Sequence, residues 1–265
     1  MHHVEVALRD EWREVKGTRV FARCATGHAP PGASAIILVH GFVVTSQYME
    51  PLARRLAPHF PVYAPDLPGF GNSQKPAHVL TVSDLADALA GWAATMGLER
   101  AVFLGNSFGC QVIALLAVRH PALVRALVLV GPTVEARRRT VVEQGLRLAK
   151  NALLAPTGLR ALWLKGFVET GVRRALVTAR YALDDRIETR LPDVRAPGLI
   201  VRGERDPVIS QAWAEELTAR LPEGRLVTMP GAVHALNYSE PRRLACVVRA
   251  FLATQHPAGQ SINDA

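Results

Sequence analysis

Six short runs along the chain are mainly apolar without a polar alternation: residues 35–40 (AIILVH), 61–64 (PVYA), 101–104 (AVFL), 126–130 (ALVLV), 198–201 (GLIV) and 225–228 (RLVT). A strand with one wet face alternates apolar and polar positions. Runs apolar on both faces instead predict strands covered by helices on either side, hence a mostly parallel sheet. The spacers carry the helical period. Residues 82–94 place Leu85, Ala88, Leu89 and Trp92 on one stripe, with Ser83 predicted as the N-cap. Residues 111–119 stop before Pro121, and the amphipathic run 210–220 closes just ahead of Pro222. Ahead of these, residues 5–9 and 20–24 predict a hairpin. Strands alternating with helices predict an α/β fold with a doubly wound sheet.

One stretch breaks the rhythm. About 65 residues without a good strand separate Val130 from Gly198. Helical patterns cover 141–154, 158–168 and 172–183, with breaks expected at Pro156, Gly166 and Gly171. This is too long for a plain connection. It reads as a helical cap, 132–196, over the carboxyl edge of the sheet, where open α/β folds bind ligands. Residues 1–131 and 197–265 then form the core domain, with a frayed polar tail from His256.

Composition narrows the class. Hydrophobic residues are 49% and charged residues 20% of 265, enough apolar material for a core. No apolar run reaches the ~20 residues of a membrane span, so stable membrane insertion is not expected. Residues 1–5 lack a signal-peptide pattern, and Cys24, Cys110 and Cys246 form no CxxC pair. These features exclude a disulfide framework and a cysteine zinc site and predict a cytoplasmic protein. The net charge is +8, and only four of the 31 basic residues are Lys. No run interleaves basic with aromatic residues, so no nucleic-acid partner is expected. Residues 133–195 alone carry a net +6.

Candidate chemistry centres on Gly105-Asn106-Ser107-Phe108-Gly109, between an apolar strand and a helix. A GxSxG at such a junction forces a sharp turn that lifts the hydroxyl above the sheet. Serine needs a base, and His234 follows the last strand, where a loop can reach Ser107. The other histidines lie at a terminus (His2, His3, His256), in loops (His28, His59, His78), at a helix end (His120) or at a strand end (His40). The histidine needs an acceptor, and Asp206 stands in a Pro-stiffened turn one strand earlier; its rivals are Glu135 and Glu204.

The order Ser107, Asp206, His234 resembles the α/β-hydrolase fold, in its capped group of small serine hydrolases, over residues 20–252. His40-Gly41-Phe42 looks like that family's oxyanion loop, and residues 66–73 (DLPGFGNS) are similar to its loop after the next strand. The resemblance implies acyl transfer through Ser107. The oxyanion would be held by the backbone N–H groups of Phe42 and Phe108, with Val43 as next choice for the first, and His40 would brace the loop. It implies no metal or organic cofactor and a small-molecule substrate, and leaves oligomeric state open. Serine at the elbow excludes the dehalogenases and epoxide hydrolases, which carry aspartate there. The peptidases' HGGxG loop is missing.

Carboxylic-ester hydrolysis of a mainly apolar substrate is the default. Carbon–carbon hydrolases of ring-fission diketo acids share an elbow like GNSFG. However, Cys110 and Ala235 stand where they usually carry glycine and an aromatic residue. A ligand-binding protein on the same fold, and action at a lipid surface through the basic cap, are further readings. Leu153, Leu154, Leu159, Leu162, Trp163, Leu164 and Phe167 are candidates for a pocket roof, although packing of the cap onto the sheet is the favoured explanation for most of them. Val43, Trp163 and Phe167 are the expected substrate contacts.

Overall fold

A computed structural model describes residues 6–26 and 29–255. His2, His3, His28, His256 and the polar tail lie outside the described residues, as does the start of the first predicted strand. The hairpin forms, but from β1 (Arg9–Val15) and β2 (Thr18–Ala25). Lys16 and Gly17 turn the chain, both with positive φ, as the favoured two-residue hairpin turn requires. β1 alternates exposed and half-buried positions, so its signal was period two rather than a run.

The remaining strands are β3 (Ile36–Val39), β4 (Val62–Pro65), β5 (Ala101–Asn106), β6 (Val124–Val130), β7 (Gly198–Gly203) and β8 (Gly224–Met229). They form one eight-stranded sheet in the order β1-β2-β4-β3-β5-β6-β7-β8. Only the β1–β2 and β2–β4 pairings are antiparallel. The fold is thus the α/β-hydrolase fold the sequence resembles. Strands β3 to β7 are almost wholly buried, whereas β8, read as a buried run, is a half-exposed edge.

Helices cover both faces. α1 (Ser46–Leu56) and, near the C-terminus, α9 (Leu236–Ser239) and α10 (Pro241–Ala253) pack against Ile36, Leu38, Val102, Leu104 and Val128. On the opposite face α2 (Val82–Thr95), α3 (Phe108–Arg119) and α8 (Gln211–Arg220) bury Trp92 and Trp213 against Ile37, Val39, Phe103 and Leu127. Consecutive strand residues therefore feed opposite cores, which is why the strands read as continuous apolar runs. Each fully buried Leu or Ile contributes roughly 1.5–3 kcal/mol.

The N-cap of α2 is Thr81, not Ser83. The Thr81 hydroxyl accepts from the Asp84 N–H (3.2 Å) while the Asp84 carboxylate accepts from the Thr81 N–H (2.9 Å). This reciprocal pair satisfies two backbone donors, whereas Ser83 alone satisfies fewer, and Ser83 lies inside the helix.

Between β6 and β7 the chain forms α4 (Val141–Leu154), α5 (Thr157–Thr170), α6 (Val172–Asp184) and the short α7 (Ile187–Arg190). Gly166 does not break α5. A Cβ there would stand 2.1 Å from the Val43 carbonyl oxygen, so its glycine serves a close helix–loop approach. Further ties hold these helices to the sheet layers. Gln111 Nε2 donates to the Ala182 carbonyl (2.9 Å), and Arg174 Nη2 to the Pro76 carbonyl (2.6 Å). Within the segment between β6 and β7, Arg139 Nη2 grips both oxygens of Glu188 (2.7 and 2.8 Å).

Candidate active site

Ser107 stands between β5 and α3 with φ 54° and ψ −119°, a backbone state that L residues adopt only when their surroundings force it. Its neighbours supply the force. A Cβ on Gly105 would lie 2.7 Å from the Gly109 backbone, and one on Gly109 would lie 2.5 Å from the Val39 carbonyl oxygen. Backbone cannot yield as a side chain can, so both glycines are steric requirements of the turn. The Ser107 N–H donates to the Val130 carbonyl (2.9 Å), tying the turn to β6.

His234 and Asp206 meet beside it. Asp206 Oδ2 lies 2.8 Å from His234 Nδ1, with both side chains buried. A carboxylate only accepts, so Nδ1 carries the proton and Nε2 is left as the basic nitrogen. That Nε2 is buried without a hydrogen-bond partner, and His234 lines the same cavity as Ser107. The other carboxylate oxygen of Asp206 accepts from the N–H groups of Val208 (2.7 Å) and Ile209 (3.2 Å), which fixes its plane. The rival acids are occupied elsewhere. Glu135 pairs with Arg138 (3.3 Å) and Arg147 (3.4 Å) and accepts from the Ser210 hydroxyl (3.1 Å). Glu204 accepts from the Gly231 N–H (2.7 Å).

The loop after β3 lies against the elbow, since a Cβ on Gly41 would come 3.3 Å from the Ser107 Cβ. The N–H of Phe108 opens α3, where first-turn donors have no helical partner. Phe42 follows Gly41 in the facing loop and lines both cavities described below; Val43 holds φ at 49°, a strained state for a β-branched residue. His40 braces this loop. Its Nδ1 bonds the Gly41 carbonyl (2.9 Å) and its Nε2 accepts from the Leu67 N–H (2.9 Å). Complete burial pushes its pKa below the usual 6.5, against the opposing pull of Asp66. The loop 66–73 closes on itself, Asp66 accepting from the N–H groups of Ser46 (2.6 Å) and Asn72 (2.9 Å). Cys110, just past the elbow, is a core residue whose thiol burial holds well above the usual range.

A cavity of about 290 Å3 opens over Ser107. Its walls include Val43, Tyr48, Asn151, Trp163, Leu164, Phe167 and His234. Val43, Trp163 and Phe167 are the contacts expected from the sequence. A second cavity of about 180 Å3 shares Phe42, Ser107 and Leu148 with the first, then continues past Phe108, Gln144, Ala182 and Val208. Of the expected roof residues, Leu159 is buried in the core, whereas Leu153 (79%) and Leu154 (38%) are exposed.

Three residues of the site escaped the sequence. Asn106 was visible only as a letter inside GxSxG. Its Oδ1 accepts from the Tyr48 hydroxyl (3.0 Å), and its Nδ2 donates to the carbonyls of Val130 (3.2 Å) and His234 (3.4 Å). It thereby joins the elbow to the histidine loop. Tyr48 and Asn151 had no sequence signal. Asn151 is buried in the first cavity with neither amide atom hydrogen-bonded. Among the described residues no group of three or more His, Cys, Asp or Glu side chains is placed to hold a metal ion.

A model of the alpha/beta hydrolase family matches residues 36–245. The chain is 29% identical to a 2-(acetamidomethylene)succinate hydrolase of Mesorhizobium japonicum, over 82% of this chain and 87% of that protein. It is also 29% identical to a pimeloyl-[acyl-carrier protein] methyl ester esterase of Xanthomonas campestris, covering 86% of this chain and 96% of the esterase. Among solved structures, a bacterial membrane phospholipase A superposes with a TM-score of 0.83 at 25% identity, over 96% of this chain and 88% of that one.

Proposed function

This chain belongs to the alpha/beta hydrolase family, and on that premise we propose that it is a serine hydrolase cleaving a carboxylic ester of a small, mainly apolar substrate. The observation that carries the reading is the pairing of His234 Nδ1 with Asp206, which leaves Nε2 unpaired in the cavity that Ser107 lines. Ser107 Oγ attacks the carbonyl carbon as His234 Nε2 takes its proton. The tetrahedral oxyanion is held by the N–H groups of Phe42 and Phe108. His234 then returns the proton to the departing alkoxide, leaving an acyl group on Ser107. Water, deprotonated by His234, releases the acid and restores the serine.

The two cavities meeting at Ser107 suit the two halves of an ester, one for the acyl chain and one for the alcohol. In this reading residues 132–196 form a lid domain over the core, and Val43, Trp163 and Phe167 contact the substrate. The name of the Xanthomonas relative supports an ester as the scissile bond.

The test is hydrolysis of p-nitrophenyl esters from acetate to laurate by the wild type and Ser107→Ala. The expected result is a serine-dependent rate with a chain-length optimum, abolished in Ser107→Ala at a nearly unchanged melting temperature. Absence of serine-dependent turnover on every ester overturns the reading, and ring-fission diketo acids are then the substrates to assay for carbon–carbon cleavage.

A further inference from the structure

Twelve large apolar side chains stand exposed among the described residues, and eleven of them belong to α4, α5 and α6. On α4, Val142, Leu146 and Leu153 recur at near-whole helical turns and are 68–79% exposed. On α5, Leu164 and Val168 are one turn apart. Soluble proteins rarely leave contiguous apolar surface of this kind unused. The surface is continuous with the chemistry. Leu148, Leu164 and Phe167 line the first cavity and are exposed all the same, so they rim its mouth. Cations flank the apolar rows. Lys150, Arg160 and Arg173 are exposed on the same three helices, and none is ion-paired to a described residue.

We propose that the outer face of α4, α5 and α6 is a docking surface for an anionic lipid bilayer. The apolar rows enter the headgroup boundary and the cations pair with lipid phosphates, so the cavity mouth opens toward the membrane. No described helix is long and apolar enough to cross a membrane, and the attachment is peripheral. A second copy of the chain fits this face less well. A two-fold contact would set this face, whose helices carry more Arg and Lys than Asp and Glu, against a copy of itself and so place like net charge on both sides of the interface. The docking stands apart from the ester reading, since binding needs no turnover.

The experiment is flotation of the Ser107→Ala protein with vesicles of phosphatidylcholine alone or mixed with phosphatidylglycerol. Binding is expected to the mixed vesicles, weakly to the neutral ones, and to weaken with salt. Replacing three cations together (Lys150→Gln, Arg160→Gln, Arg173→Gln) should weaken it on the order of a hundred-fold. Leu146→Ser with Val168→Ser should weaken it roughly ten-fold or more. In an otherwise wild-type chain both sets should leave hydrolysis of soluble p-nitrophenyl acetate unchanged. Three outcomes overturn the proposal: no binding to either vesicle, binding that neither variant set alters, or a dimer in sedimentation velocity that Leu146→Ser with Val168→Ser dissolves. Vesicle binding without ester turnover by the wild type would overturn the functional reading alone.

Discussion

At the scale of single residues the site rests on how hydrogen-bonding capacity is shared out. Asp206 spends one oxygen on His234 and the other on two backbone donors, whereas Glu135 is committed to two arginines and a serine. Asp206→Asn should therefore lower kcat by about 10⁴-fold, because an amide facing Nδ1 favours the wrong tautomer. Glu135→Gln should cost little; if steady-state kinetics showed the reverse order of damage, the acid would be misassigned. Asn151 is the opposite case, a buried amide with no partner in a mostly apolar cavity. An unsatisfied buried group costs about 1–3 kcal/mol, so Asn151→Leu should raise the melting temperature. It should also lower the preference for acyl chains carrying a hydroxyl or keto group over plain alkyl chains, by roughly ten-fold in kcat/KM. Unchanged selectivity across such an ester pair would show that Asn151 does not meet the substrate.

At the scale of elements the question is how a helix outside the sheet layers reaches the elbow. Helix α5 meets the loop after β3 at Gly166, against the carbonyl of strained Val43. Gly166→Ala must push the helix outward or shift Val43, and a shift moves the neighbouring Phe42 N–H. With the Phe42 N–H in its proposed role, loss of one oxyanion donor costs about 2.7–4 kcal/mol, and a partial displacement should lower kcat by roughly ten- to a hundred-fold, with a smaller change in KM. A variant with unaltered kcat would mean that the loop holds its place without the helix. Amphipathic stripes revealed α2 and α8 in the sequence, and a strongly apolar run ending before Pro121 revealed α3. They missed α1, where Pro51 lies inside the helix, and they moved the cap of α2 by two residues. A proline lowers helix propensity locally, but burial of Tyr48, Met49, Leu52 and Leu56 outweighs it here.

At the scale of the whole molecule, stability depends on a histidine kept neutral. His40 lies at the centre of the fold, bonded to Gly41 and Leu67, and burial holds its pKa below 6.5. The unfolded chain protonates this ring below about 6.5 while the folded chain does not. The unfolded state then binds more protons, so this group's contribution to stability is complete above that pH and is lost as pH falls below it. Melting temperatures measured from pH 7.5 to 5 should decline, at no more than about 1.36 kcal/mol per pH unit from this group. A wild-type melting temperature as flat across that range as that of His40→Gln would refute the assignment.

The sequence by itself determined the sheet class, the strand–serine–helix turn and the chain order of Ser107, Asp206 and His234. These depend on local patterning: apolar runs, a strand–GxSxG–helix junction, and residues placed just beyond strand ends. Position along the chain ranks Asp206 over Glu135 and Glu204; in the structure Asp206 meets His234, Glu135 meets Arg138 and Arg147, and Glu204 meets the Gly231 N–H. Only the tertiary structure decided that Gly166 is a contact and not a break, and that Leu153 faces solvent while Trp163 faces the cavity. It alone brought Tyr48, Asn106 and Asn151 to one place. Such assignments depend on which surfaces meet when helices pack against loops far away in the chain. No periodicity within one helix records which of its faces will find a partner.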